Sequence, residues 1–162
     1  MTITDADKSF LRRCVEPARE AYDDGDEPFG SVLVDDSGEI LFEDRNRIKH
    51  GDGTRHPEFE IARWAAANMT PKERALATVY TSGEHCPMCA AAHGWVGLGR
   101  IVYAGSSAQL ARWLEEIGAP AGPVATLPIQ VVVPDANVEG PVEEFAAELR
   151  SLHQSAARRA LV

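Results

Sequence analysis

Strand-length apolar runs alternate with segments of helical periodicity along this chain, and that alternation restricts it to a sheet covered by helices. Residues 4–23 place Phe10, Leu11, Cys14, Val15, Ala18, Ala21 and Tyr22 at helical spacing, with Pro17 inside the pattern as an expected kink or break. Residues 30–34 read as a strand, Asp35 to Gly38 as its turn and 40–42 as the returning strand. A polar loop with Gly51 and Gly53 follows over 44–55. A helix is expected from Pro57 to about Asn68, since proline suits a first helical position whose N–H has no partner. Further strands are expected at 77–81, 100–104 and 129–133, and further helices at 87–96, 108–117 and about 141–159. The opening hairpin makes the sheet mixed, with its later strands parallel. The expected architecture is a three-layer α/β/α sandwich on a five-stranded mixed sheet, in a single domain over residues 1–162.

A chain of 162 residues buries about 70% of its unfolded surface and needs no disulfide staples. Sixteen Lys and Arg stand against 25 Asp and Glu, a formal net charge of −9. Only Lys8, Lys49 and Lys72 are lysines, and the basic pairs Arg12-Arg13 and Arg158-Arg159 are short. Gripping a polyphosphate backbone takes clustered cations, so nucleic acid is a poor partner and a small neutral molecule a better one. No run of about 18 apolar residues is present, so no membrane span is expected. The first residues, Met1 to Asp7, lack a basic run followed by an apolar stretch, so the expected location is cytoplasmic.

Two short motifs carry the chemistry: His56-Pro57-Glu58 and, thirty residues on, Cys86-Pro87-Met88-Cys89. Each opens an expected helix. Cys86 and Cys89 stand at i and i+3, so their sulfurs share one side and one metal ion. With His56 they make three ligands for a tetrahedral Zn²⁺, one per chain, whose fourth position stays open for water as in catalytic sites. Glu58 lies two residues past His56, close enough to exchange protons beside the metal without ligating it.

Other readings of these residues exist. A Cys-x-x-Cys at a helix start is also a redox signature, although the upstream His-Pro-Glu motif favours a metal. A structural zinc needs a fourth protein ligand, for which His85, His93 and His50 are available on paper. His50 and His153 otherwise read as solvated surface, His93 as helix packing or pocket wall, and Cys14, Trp64 and Trp113 as core. Asn46 is able to close a turn.

The motifs in this order resemble the zinc-dependent cytidine and nucleobase deaminase superfamily, whose signature is H-x-E followed by P-C-x-x-C. The resemblance covers roughly residues 10–104 and is closest to the guanine deaminase and tRNA adenosine deaminase branch. It implies a cytidine deaminase-like fold, zinc held by His56, Cys86 and Cys89, and Glu58 as proton shuttle. It further implies Asn46 as a hydrogen-bonding contact to the base, and Phe29 and Trp95 as walls of the substrate pocket. The implied reaction is hydrolytic replacement of an amino group on a heterocycle, with release of ammonia. Guanine, cytosine and aminotriazine-like rings are the expected substrates. Adenosine in tRNA is the alternative, and a non-catalytic zinc-binding module is the alternative of another class. Such relatives imply a homodimer, with the final helix capping its own pocket or a neighbour's. His85 stands where the family usually has proline, and Pro57 where it often has alanine. The second carboxylate of guanine deaminases has Glu115 or Glu116 as its nearest counterpart here.

Overall fold

The computed structural model describes residues Thr2–Val162. Helix α1 (Asp5–Asp23) leads into strands β1 (Gly30–Val34) and β2 (Ile40–Arg45), then helices α2 (Pro57–Asn68) and α3 (Pro71–Leu76). Strand β3 (Thr78–Gly83), helix α4 (Pro87–Val96), strand β4 (Arg100–Gly105) and helix α5 (Ser107–Glu115) follow. The last elements are helix α6 (Ile129–Val132), strand β5 (Val138–Glu139), a 3₁₀ turn (Glu143–Phe145) and helix α7 (Ala146–Ala160).

The five strands form one mixed sheet in the order β2-β1-β3-β4-β5. β1 pairs antiparallel with both β2 and β3, whereas β3–β4 and β4–β5 are parallel. Side chains alternate across a strand, and the two cores divide accordingly. Val32, Val34, Tyr80 and Val102 face a cluster with Leu11, Cys14, Trp113, Phe145 and Leu149, which belongs to α1, α5 and the C-terminal segment. Leu33 and Val79 face the opposite cluster with Ile61, Ala62 and Ala65 of α2. Ile101 adds Ala90 and Ile129 of α4 and α6 to that second layer. The three-layer expectation therefore holds.

Two local expectations are corrected, and one helix is added. Residues 129–133 are not a strand: Pro128 caps a single helical turn, and the fifth strand is the two-residue β5 further on. The β-branched run suggested a strand, but the Ile129 N–H is taken by the Glu84 carboxylate at 3.2 Å rather than by a sheet partner. Pro17 does not end α1, which runs from Asp5 to Asp23 with Pro17 buried. There the helix lies directly against the start of β1, since a Cβ on Gly30 would meet Pro17 Cγ at 2.7 Å. Helix α3 was not anticipated, although Thr70 and Glu73 form a capping box, a legible start signal.

One buried polar network fastens the helical layer to the sheet. Asp7 is 3% exposed and accepts from Tyr80 Oη at 2.8 Å and Arg100 Nη1 at 2.6 Å. Burial works to raise its pKa, but Arg100 and Thr4 outweigh that and hold the carboxyl well below the usual range. Among the described residues, no helix is long and apolar enough to cross a membrane.

Candidate metal centre

His56 and Cys86 occupy the same local position. Each is the N-cap of its helix in extended conformation, with a proline as the next residue. Proline disfavours the α region for the residue before it, which is the conformation an N-cap requires. The two helices, α2 and α4, pack on each other. Their starts bring His56 Nδ1, Cys86 Sγ and Cys89 Sγ to 3.6 Å from one another, pair by pair.

Those separations test whether the donors fit zinc. Zn–S and Zn–N bonds of about 2.3 and 2.0 Å in a tetrahedron put ligand atoms about 3.5–3.8 Å apart. The observed triangle has that size, and its atoms are the soft N/S set that zinc selects. His56, Cys86 and Cys89 are positioned to bind a zinc ion, and among the described residues no fourth His, Cys, Asp or Glu joins the group. A hydrogen bond from Cys89 pulls the Cys86 thiol down to about 4, and the His56 imidazole reinforces it. Cys89, the donor of that bond, is pushed up. Both helix N-termini also favour negative charge at this point.

Glu58 sits in the first turn of α2, 5% exposed. Its Oε1 lies 2.7 Å from Thr81 Oγ1 and 3.1 Å from Ser31 Oγ. Each hydroxyl has one proton to give, so both are available to that single oxygen. Burial pushes the Glu58 carboxyl up, against the Thr81 hydrogen bond and the His56 charge. Neither Ser31 nor Thr81 was singled out from the sequence, although a hydroxyl inside the apolar run Gly30–Val34 is a signal for a buried polar partner.

A cavity of about 130 Å³ opens beside the triad, lined at one end by His56, Glu58 and Cys86. Phe29, Leu110, Trp113, Leu149 and His153 form much of the remainder. Phe29 thus stands on the wall, its ring 4.8 Å from that of His153. Asn46 is fully buried behind it and donates its backbone N–H to the Phe29 carbonyl at 3.0 Å. Its Oδ1 accepts from Ile48 N at 3.3 Å, the turn-closing role, while its Nδ2 has no partner. Asn46 does not itself line the cavity.

Several expectations change here. Trp95 lies on α4 but is 90% exposed and outside the cavity of its own chain. Glu115 and Glu116, at the end of α5, are exposed and do not line it; Glu116 pairs with Arg150 at 2.6 Å. The second carboxylate on the wall is Glu84, which accepts from Ser107 N at 2.9 Å and so holds the start of α5. His153 is not solvated surface: α7 folds back along α5, leaving it 7% exposed against Trp113. The final helix therefore caps its own chain's cavity with Leu149 and His153. His93 packs, with Nε2 2.9 Å from the Gly99 carbonyl oxygen. His85 is 1% exposed against the His93 ring, both its nitrogens unpartnered. His50 is exposed and Cys14 is core, as expected.

The fold and the His/Cys/Cys triad define a zinc-dependent hydrolytic deaminase. The chain belongs to the family described as the cytidine and deoxycytidylate deaminase zinc-binding region, whose profile matches residues 4–105. It is 29% identical over 116 residues to a probable cytosine deaminase of Schizosaccharomyces pombe, covering 72% of this chain and 70% of that protein. It is 35% identical over 101 residues to a tRNA-specific adenosine deaminase of Haemophilus influenzae, covering 62% of this chain. The match spans only 58% of that relative's own length. The solved guanine deaminase of Nitrosomonas europaea superposes with a TM-score of 0.70 at 18% identity, over 98% of this chain and 87% of the other, which speaks for the fold.

Proposed function

We propose that this chain deaminates a free aminated heterocycle of small size, such as cytosine, guanine or an aminotriazine. The observation that carries this is the cavity: about 130 Å³, walled largely by aromatic and aliphatic side chains, with His56, Glu58 and Cys86 in its lining. A dry cavity of about 150 Å³ is known to accept a benzene ring, so this one matches a single small ring more closely than a nucleoside. The net charge of −9 also favours a neutral base over an anticodon stem-loop or a nucleotide such as dCMP. Adenosine in tRNA is the second reading, favoured by the similarity to a tRNA-specific adenosine deaminase.

Zinc bound by His56, Cys86 and Cys89 would lower the pKa of a water toward neutrality. The remaining work falls to the chain's own groups. Ser31 and Thr81 fix one oxygen of Glu58, leaving the other without a side-chain partner. Glu58 takes one proton from the attacking water and gives it to a ring nitrogen, then takes the remaining proton from the added hydroxyl and gives it to the departing amine. Water adds at the ring carbon, the C–N bond breaks, and ammonia leaves with an oxo-heterocycle as the other product. Phe29 and Trp113 line the cavity and keep bulk water out, and Asn46, buried behind Phe29, holds that part of the wall through its backbone bond to the Phe29 carbonyl.

The test is ammonia release by zinc-loaded protein from guanine, cytosine, an aminotriazine, adenosine, dCMP and tRNA. Release from a free base supports the proposal. Release from tRNA alone overturns it in favour of the second reading, and release from none leaves a non-catalytic zinc-binding module.

The homodimer and the cytoplasmic location belong to the same reading. Trp95, 90% exposed on α4, supports a face for a second copy of the chain. Free Cys14, Cys86 and Cys89 suit a reducing compartment. Sedimentation should show a dimer for the parent and a monomer for Trp95→Glu; a monomeric parent refutes the dimer.

A further inference from the structure

Among the buried polar side chains that line the cavity, His153 has the most hydrogen-bonding capacity to spare. Ser82 Oγ accepts from Gly30 N at 3.1 Å and retains its proton, and Ser106 Oγ accepts from Gln109 N at 3.1 Å and donates to Gln109 Oε1 at 3.3 Å within a capping box. Both Glu84 oxygens are taken by Ser107 N and Ile129 N. His153 differs from these. It is 7% exposed, and among the described residues no hydrogen bond or charge acts on its ring; burial alone lowers its pKa, to about 4. At neutral pH the imidazole is uncharged, with one donor and one acceptor nitrogen. Its nitrogens are not among the sealed, unpartnered atoms of the interior, so they retain open surface. The ring stands in the partition between the metal-side cavity and an outer groove that reaches Lys49 and Arg159. Phe29, with its centroid 4.8 Å away, and Trp113, at 6.4 Å, fix its plane.

Glu58 and His153 line the same cavity, so a small heterocycle with its amino-bearing carbon beside Glu58 has a further edge to present to the wall that carries His153. An oxo group or ring N–H on that edge loses its water on entry and needs a partner. We propose that His153 supplies this partner, reading the amide-type edge of the substrate, so that the preferred ligand is an amino-oxo heterocycle rather than a ring carrying only the amino group. The inference rests on the reading of the chain as a free-base deaminase. A site built to hydrogen-bond a polar group discriminates against the analogue lacking it, because its own buried partner is then left unpaired.

The experiment uses zinc-loaded protein carrying Glu58→Gln, so that binding is measured by calorimetry without turnover. The probes are two pairs that differ by the oxo group: cytosine with 4-aminopyrimidine, and guanine with 2-aminopurine. The expected result is that the oxo-bearing member of a pair binds more tightly. Adding His153→Leu should then weaken that member roughly tenfold and leave its oxo-free counterpart within about twofold. His153→Gln, which keeps a donor and an acceptor, should restore most of the loss. Equal weakening of both members, no weakening, or no binding of any probe overturns the inference. If His153→Leu does not fold, a parent with equal affinity for both members of each pair overturns it without that variant. Turnover of the parent separates the two claims: ammonia from a free base with no effect of His153 defeats this inference alone, whereas the oxo preference with no ammonia defeats the deaminase reading alone.

Discussion

Thr81 Oγ1 lies 2.7 Å from Glu58 Oε1, a contact between the middle of the sheet and the first turn of α2. The hydroxyl spends its one proton on the carboxylate or on the Gly83 carbonyl, 2.9 Å away. Ser31, on the neighbouring strand, is 2.9 Å from the same hydroxyl and 3.1 Å from the same carboxylate oxygen. Glu58 is thus aimed by the sheet as well as by its own helix.

Removing that aim should slow turnover without emptying the metal site. Thr81→Val keeps the shape and deletes the donor, which costs about 1–3 kcal/mol when the buried partner is charged. That corresponds to a loss of roughly tenfold to a hundredfold in kcat, with a smaller change in KM. Zinc content should stay near one per chain. Ser31→Ala should act in the same direction and less strongly, because Thr81 still serves the oxygen. Unchanged kcat in both variants would show that the hydroxyls do not position Glu58.

Glu58→Ala should abolish detectable ammonia release, since general acid–base catalysis is worth roughly 10²–10⁴ in rate. Metal analysis should still find zinc, because Glu58 lies outside the His56, Cys86 and Cys89 group. Retained turnover in this variant contradicts the assigned role.

Cys89→Ser should lose zinc and a large part of the stability together. The triad joins the starts of α2 and α4, and metal binding free energy is folding free energy when the ligands come from separate elements. The check is metal content alongside a thermal melt, with chelator-treated parent as reference. A variant that keeps both zinc and the parent melting temperature rules this out.

Acid should destabilise the protein through its buried imidazoles. Burial depresses His153 to about 4 in the folded chain, against about 6.5 when unfolded. Between those values the unfolded state binds the proton and the folded state does not, so stability is full above about pH 6.5 and falls as pH drops toward 4. The loss approaches 1.4 kcal/mol per pH unit for one group, on the order of 3 kcal/mol in all. His93 is also depressed, chiefly by burial, and adds in the same direction. Denaturant midpoints from pH 7.5 to 4.5 should fall less steeply for His153→Leu than for the parent. Parallel slopes would mean that His153 is not held neutral.

How much of this was legible in the chain depends on how far apart the interacting residues lie. The start of α2 at Pro57 and the whole of α4 are set by an X-Pro step at an N-cap and by local helical spacing, and both match the structure. The Thr70/Glu73 capping box that opens α3 is an equally local signal. The run at 129–133 misled because β-branched composition describes a strand only where a neighbouring strand is in reach, and there the Glu84 carboxylate takes the first N–H instead. His153 misled because its burial depends on α7 returning across α5, with Trp113 forty residues away in sequence supplying the cover.

By itself, then, the sequence determined the ligand triad, Glu58 beside it, and the alternation that makes a helix-covered mixed sheet. These follow from residue type and from spacings within one or two turns, where backbone geometry leaves little choice. The tertiary structure decided what faces that centre: Ser31 and Thr81 behind the carboxylate, Phe29, Trp113 and His153 on the wall, and Trp95 outside. Those neighbours come from strands and helices far apart along the chain, and only the packing of layers brings such residues within contact distance.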